Sequence, residues 1–169
     1  GIVGFGGNGR RLAEVLAPFR VRIIATDMFP DVPPPHVEAV WPADRLADLL
    51  PLVDVLVLCV PLTPITAGLL DGEMLSKLRR GALLINVARG GVVVERDLVA
   101  ALQSGRLGGA GLDVTEVEPL PPESPLWDLP HVLITPHGGA QSSSRFDDTT
   151  DLFCENLRRF LAGRPLANL

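Results

Sequence analysis

Short apolar runs rich in β-branched residues alternate with helical patterns along the whole chain. Residues 2–5, 21–26, 53–60, 83–87, 110–114 and 132–135 are apolar without a polar residue at every second position, the pattern of strands buried on both faces. Residues 37–41 form a further short strand. Between the strands, residues 9–16 have helical spacing that ends before Pro18, and residues 44–50 suit a helix. Asp71 caps a helix running to about Leu78, and a helix over 95–103 closes on Gly105 as a left-handed stop. Residues 29–35 are a proline-rich loop, and a second loop rich in proline and acidic residues precedes 132–135. The last element, about 141–161, is a long amphipathic helix with Leu152, Phe153, Leu157, Phe160 and Leu161 at helical spacing. Buried strands separated by helices predict a doubly wound parallel α/β sheet in a single domain.

Such a sheet binds ligands at the carboxyl ends of its strands, and residues suited to that work stand there. Gly4-Phe5-Gly6-Gly7-Asn8-Gly9 fits G-x-G-x-x-G between a strand and a helix. Gly4 permits the tight turn, Gly6 lets the backbone approach a pyrophosphate, and Gly9 lets the helix pack closely on the sheet; the N–H groups of Gly7 and Asn8 face the phosphate charge. Asp27 closes the second strand, 18 residues after Gly9. There it can accept hydrogen bonds from both adenosine ribose hydroxyls and repel a 2′-phosphate, which favours NAD over NADP in a Rossmann-type unit. Met28, Phe29 and Pro30 follow, with no arginine to receive a phosphate. In the second half, Arg89, Asp113 and His137 each stand at or just past a predicted strand end, and Glu118 lies in the loop after one.

These motifs are similar to those of the NAD-binding domain of the D-isomer-specific 2-hydroxyacid dehydrogenases, a family that includes glyoxylate/hydroxypyruvate reductases and phosphoglycerate dehydrogenases. The resemblance covers essentially all 169 residues. It rests on the glycine loop, Val60-Pro61-Leu62-Thr63-Pro64 with Thr66, Ala88-Arg89-Gly90, Leu112-Asp113-Val114 through Glu118-Pro119, and Thr135-Pro136-His137 with Gly138-Gly139. It implies that Arg89 binds the substrate's keto oxygen and carboxylate, that His137 is the general acid with Glu118 as its partner, and that Asp113 holds the nicotinamide carboxamide. It further implies that Val60, Pro61, Thr66, Ala88, Arg89, His137 and Gly139 contribute to the NAD site. The chemistry agrees: an arginine fork suits an α-keto acid, and a histidine beside a carboxylate is favoured in its proton-donating form. Two departures stand out. Gly7 replaces the family's common arginine, and Val94 replaces an aspartate that would cap the following helix.

Composition narrows the function classes. The net charge of −5, without a basic cluster, argues against nucleic acid. No apolar run reaches the ~18 residues of a membrane span, although the mean hydropathy is +0.30. Cys59 and Cys154 lack metal-ligand spacing and read as free thiols in a reducing, cytoplasmic setting; no metal is expected. The chain opens inside a strand pattern, and no signal peptide is expected from its first residues. Residues 1–169 are therefore expected to be the NAD-binding domain of a longer enzyme, its substrate domain lying elsewhere and the isolated piece being inactive. The partners expected are a 2-hydroxy or 2-keto acid and a second copy in a homodimer. Two other functions share these motifs: an NAD-sensing corepressor of the same fold, and a fragment that binds NAD and does nothing more.

Overall fold

The computed structural model describes residues 1–139, 141 and 145–167. The chain divides into two compact units, Gly1–His137 and Gly138–Leu169. The first holds one seven-stranded sheet with every neighbouring pair parallel: β1 (Ile2–Val3), β2 (Ile24–Asp27), β3 (Ala39–Pro42), β4 (Val55–Leu58), β5 (Ala82–Asn86), β6 (Leu107–Leu112) and β7 (Val132–Ile134), in the order β3-β2-β1-β4-β5-β6-β7. Four helices connect them: α1 (Gly7–Leu16), α2 (Leu46–Leu49), α3 (Gly72–Lys77) and α4 (Glu95–Gln103). The doubly wound α/β architecture is as the alternating pattern predicts.

Two apolar clusters build the core. The larger joins Leu56, Leu58 and Leu84 of the sheet to Leu49, Leu75 and Leu98 of α2, α3 and α4, each at most 2% exposed. The smaller packs Ile2 and Ala25 against Ala13 of α1, with Phe5 and Val37. Burying a large aliphatic side chain contributes about 1.5–3 kcal/mol, so the larger cluster dominates the stability of the unit.

Several boundaries differ from the sequence expectation, for local reasons. β1 is only two residues long because Gly4 turns at φ +91°. The glycine loop passes into α1 at Gly7, not Gly9. The helix expected at 44–50 is one turn, α2, between two short 3₁₀ turns, one following Pro42 and one holding Pro51. β6 starts at Leu107, three residues early. Its glycines have poor strand propensity, yet Gly108 and Gly109 allow close contact: a Cβ on them would lie 2.4 Å from Gly81 O and 2.6 Å from His131 O. Asp71 caps α3 by accepting from Met74 N at 2.9 Å, and Gly105 closes α4 at φ +66°, both as read from sequence. Val94 gives α4 no side-chain cap, also as expected. Arg106 reads from sequence as a surface or helix-end charge. It instead donates to the carbonyls of Ser76 and Leu78, tying the start of β6 to the end of α3.

In the second unit, α5 (Arg145–Leu161) ends at Gly163, whose φ is +63°. The Asn156 side chain brackets Ala167, donating to its carbonyl at 3.1 Å and accepting from its N–H at 2.8 Å. Of the helix expected over 141–161, the part from Arg145 is described; residues 142–144 lie outside the described residues.

Two close approaches shape the ligand edge of the first unit. A Cβ on Gly9 would fall 2.2 Å from Gly4 O, so α1 can pack onto the glycine turn only without a side chain there. A Cβ on Gly90 would fall 1.9 Å from Thr115 O and 2.5 Å from Glu116 N, whereas one on Gly7 meets nothing within 4 Å. Gly90→Ala is expected to lower the unfolding free energy by about 3 kcal/mol, near the upper end for overpacking, and Gly7→Ala to stay within about 0.5 kcal/mol. Urea denaturation checks both, and equal midpoints for the two variants would contradict the contact.

Candidate functional site

Because all seven strands run the same way, their carboxyl ends lie along one edge. The strand order reverses between β1 and β4, and a doubly wound sheet binds its ligand in the crevice at that switch point. Gly4 follows β1 there, beside Val60 and the Cys59 carbonyl in the segment after β4. That segment is held by hydroxyls. Thr66 Oγ1 donates to Pro61 O at 2.6 Å and accepts from Thr63 N at 2.8 Å. Thr66, expected at the cofactor, thus sets the path of Pro61.

The α1 start suits a pyrophosphate. Gly6 supplies no side-chain cap, and the first turn holds no acidic residue, whereas Glu73 stands in the first turn of α3 and Glu95 and Asp97 in that of α4. The N–H groups at the α1 start are therefore left for a ligand, in a field that favours an anion. Open space surrounds the Cα atoms of Gly6 and Gly7. At the tip of β2, Asp27 is oriented by two backbone donors, Phe5 N at 2.6 Å and Phe29 N at 2.9 Å. The residues present fit a dinucleotide: an anion site at Gly6–Asn8 and a fixed carboxylate for the ribose at Asp27. The loop after Asp27 does not lack a neighbouring arginine, as its own sequence suggests. Arg10 reaches it from α1 and pairs with Asp31 at 3.3 Å.

Further along the edge, Asn86 ends β5 at 1% exposure. Its side chain accepts from Ala88 N at 3.0 Å and donates to Arg89 O at 3.1 Å, while its own carbonyl accepts from Asp113 N at 3.0 Å. Asn86 thereby shapes the Ala88-Arg89-Gly90 turn and fixes the start of the Asp113 segment. Sequence reasoning did not single it out, although a lone amide closing an apolar strand before a turn was its visible signal. Arg89 is exposed and has no ion-pair partner among the described residues.

Asp113 follows β6 and accepts from Thr135 Oγ1 at 2.6 Å. Its carbonyl accepts from His137 N at 2.9 Å, which supports His137 at φ +51°, a left-handed conformation uncommon for a residue with a side chain. His137 Nδ1 donates to Glu118 Oε2 at 2.7 Å. Glu118 Oε1 accepts from Thr115 N at 3.1 Å, so the carboxylate is held at both oxygens. The hydrogen bond from His137 is the largest influence holding the Glu118 carboxyl below its ordinary value of 4.5. Partial burial opposes it, and the Thr115 N–H and the charges of His137 and Arg89 add to it. The structure thus brings Glu118 and His137 into contact, with Arg89 near enough for its charge to act on Glu118. A cavity of about 520 Å³ opens beside them, bordered by Asp113, Leu120, Trp127 and Ile134. A second cavity of like volume lies at the opposite edge of the sheet, around Gly1 and Val53, away from every candidate residue. Gly139 belongs to the second unit. Among the described residues, no cluster of three metal-binding side chains is found.

Comparison with known proteins agrees with this fold. The family model for the D-isomer specific 2-hydroxyacid dehydrogenase, NAD binding domain, matches residues 1–139. The glycerate dehydrogenase of Methylorubrum extorquens is 37% identical over 170 residues, covering 98% of this chain and 50% of its own length. A D-isomer specific 2-hydroxyacid dehydrogenase from Xanthobacter autotrophicus Py2, solved with NADPH and MES, is 40% identical. It superposes with a TM-score of 0.92, over 99% of this chain and 68% of that one. The NADPH-dependent glyoxylate/hydroxypyruvate reductase of Sinorhizobium meliloti, solved with NADP and sulfate, is 38% identical with a TM-score of 0.89, over 98% of this chain and 53% of its own. The chain spans about half the length of the curated relatives it matches. It belongs to the D-isomer specific 2-hydroxyacid dehydrogenase family, as an NAD-binding domain of that family.

Proposed function

We propose that this chain is the cofactor half of an NAD-dependent oxidoreductase that interconverts a 2-keto acid and a D-2-hydroxy acid. The observation that carries the reading is the 2.7 Å contact between His137 Nδ1 and Glu118 Oε2, at the sheet edge that also bears Arg89 and the glycine turn. In this reading residues 1–169 form the NAD-binding domain, and the substrate domain lies outside the chain. The glycerate dehydrogenase and glyoxylate/hydroxypyruvate reductase relatives act on acids of this class by name.

The dinucleotide, when bound, supplies or accepts a hydride at the substrate's C2. The rest falls to side chains. Arg89 neutralises the carboxylate and draws charge toward the keto oxygen; its planar, permanently charged fork matches both. Glu118 holds the Nδ1 proton, which leaves Nε2 of His137 as the nitrogen that gives a proton to the forming alkoxide or takes one from the hydroxyl. Asp113, fixed by Thr135, would hold the nicotinamide carboxamide, and Asp27 would favour a free ribose 2′-hydroxyl. In this reading Val60, Pro61 and Ala88 also contribute to the cofactor site. Burial pushes the Cys59 thiol up to about 11, so it stays protonated and takes no part. The two free cysteines support a reducing, cytoplasmic setting, and a homodimer is part of the same reading.

The test is an assay of the longer protein with NADH and glyoxylate, hydroxypyruvate or pyruvate, alongside the 169-residue chain. The longer protein is expected to turn over and the chain alone to bind cofactor without turnover. Binding without turnover by both would favour a sensor. His137→Gln is expected to slow kcat by roughly 10²–10⁴-fold with little change in NADH affinity; an unchanged kcat rejects His137 as the acid.

A further expectation concerns acid. A carboxyl whose folded value is lowered contributes stability above its unfolded value, and that contribution is lost as pH falls through the folded one. The Glu118–His137 contact should therefore persist at pH 4.5, where a free glutamate is half protonated, and break only below it. A carbon-13 titration of the Glu118 carboxyl should give a midpoint under 4.5. A midpoint at or above that value contradicts the pairing.

A further inference from the structure

Cofactor choice in this chain is expected to rest on Asp27, yet two solved relatives at 40% and 38% identity hold NADPH or NADP. The surroundings of Asp27 contain one feature that the strand-end carboxylate does not account for. The guanidinium of Arg10 lies over the ring of Phe5, 5.1 Å from its centroid, while the N–H of the same Phe5 donates to Asp27 Oδ2. Arg10 and Asp27 thus flank one residue of the glycine turn. From that position Arg10 Nη2 reaches across to Asp31 Oδ2 at 3.3 Å, joining α1 to the loop after β2. Asp31 is itself aimed by a second bond: its Oδ1 accepts from Val32 N at 2.7 Å.

We propose that Asp31 is a second determinant of cofactor choice, which engages the Arg10 guanidinium and so withholds it from a ribose 2′-phosphate. The proposal rests on the NAD-binding reading above and deepens it. A 2′-phosphate brings a charge near −2 to the tip of β2. It would meet the negative charges of Asp27 and Asp31 against the single positive charge of Arg10, an unfavourable balance. Neutralising Asp31 leaves Asp27 and Arg10 in balance and frees the guanidinium, a geometry suited to phosphate through two parallel N–H donors. A free 2′-hydroxyl is indifferent to this exchange, since it seeks only the Asp27 carboxylate. Arg10 and Asp31 are solvent-accessible, with side chains 42% and 67% exposed, so their pairing is a weak lock that shifts preference without making it absolute.

The experiment measures dissociation constants of NADH and NADPH for the intact protein by quenching of the reduced nicotinamide fluorescence, which needs no turnover. Asp31→Asn is expected to raise the ratio of NADPH to NADH affinity by about three- to tenfold, the scale of removing one like charge a short distance away in a solvated site. The gain should shrink as salt rises, and Arg10→Gln combined with Asp31→Asn should abolish it. An unchanged ratio in Asp31→Asn, or a gain that survives the loss of Arg10, overturns the proposal. So does an Arg10→Gln variant that loses NADH and NADPH affinity equally, which would place Arg10 on the pyrophosphate instead. If the wild-type protein binds neither dinucleotide, it is the cofactor reading itself that fails.

Discussion

Pairing of β1 with β2 on one side and β4 on the other governs the rest of the first unit. β1 is two residues long, so its place is secured by neighbours on both sides and by the Gly4 N–H, which donates to Thr26 O at 2.8 Å beyond the strand. From this centre the sheet grows in opposite directions, and that reversal opens the crevice at Gly4. Every later strand is parallel to β1, so each delivers its closing residue to the same edge. Asp27, Asn86, Asp113 and His137 are brought to that edge by strand direction, although long helical and loop connections separate them in sequence.

Once the strand ends share an edge, hydrogen bonds between successive segments set the finer positions. The Asn86 carbonyl receives the Asp113 N–H, and the Asp113 carbonyl receives the His137 N–H. Each segment is thus positioned by the one before it in the sheet. The left-handed backbone at His137 is the strained end of this chain of contacts. Strain of that kind persists where neighbouring interactions over-determine it, as the Asp113 and Glu118 bonds do.

Much of this was legible in the sequence, because periodicity and turn chemistry are local. The apolar runs marked the strands, Asp71 and Gly105 marked helix ends, and the placing of Arg89, Asp113 and His137 after strands marked the edge. Contacts made across the fold were not legible. Arg10 has no sequence signal for its partner Asp31, since the pair depends on how α1 and the β2 loop come together. Arg106 likewise reads as surface charge until β6 is seen beside the end of α3. The apolar spacing at 44–50 marks a helical run that the structure contains, but only one turn of it is α-helix, set between two 3₁₀ turns.

The absence of a side chain at Gly90 has a consequence for engineering. The turn bearing Arg89 and the loop bearing Glu118 touch backbone to backbone at this point, with no flexible side chain between them to absorb a change. The two behave as one mechanical part. Loops grafted from a relative between β6 and β7 will carry the arginine with them, displacing it whenever the new backbone at position 115 follows a different path. Productive chimeras should therefore exchange residues 86–91 and 113–124 together, as a single cassette.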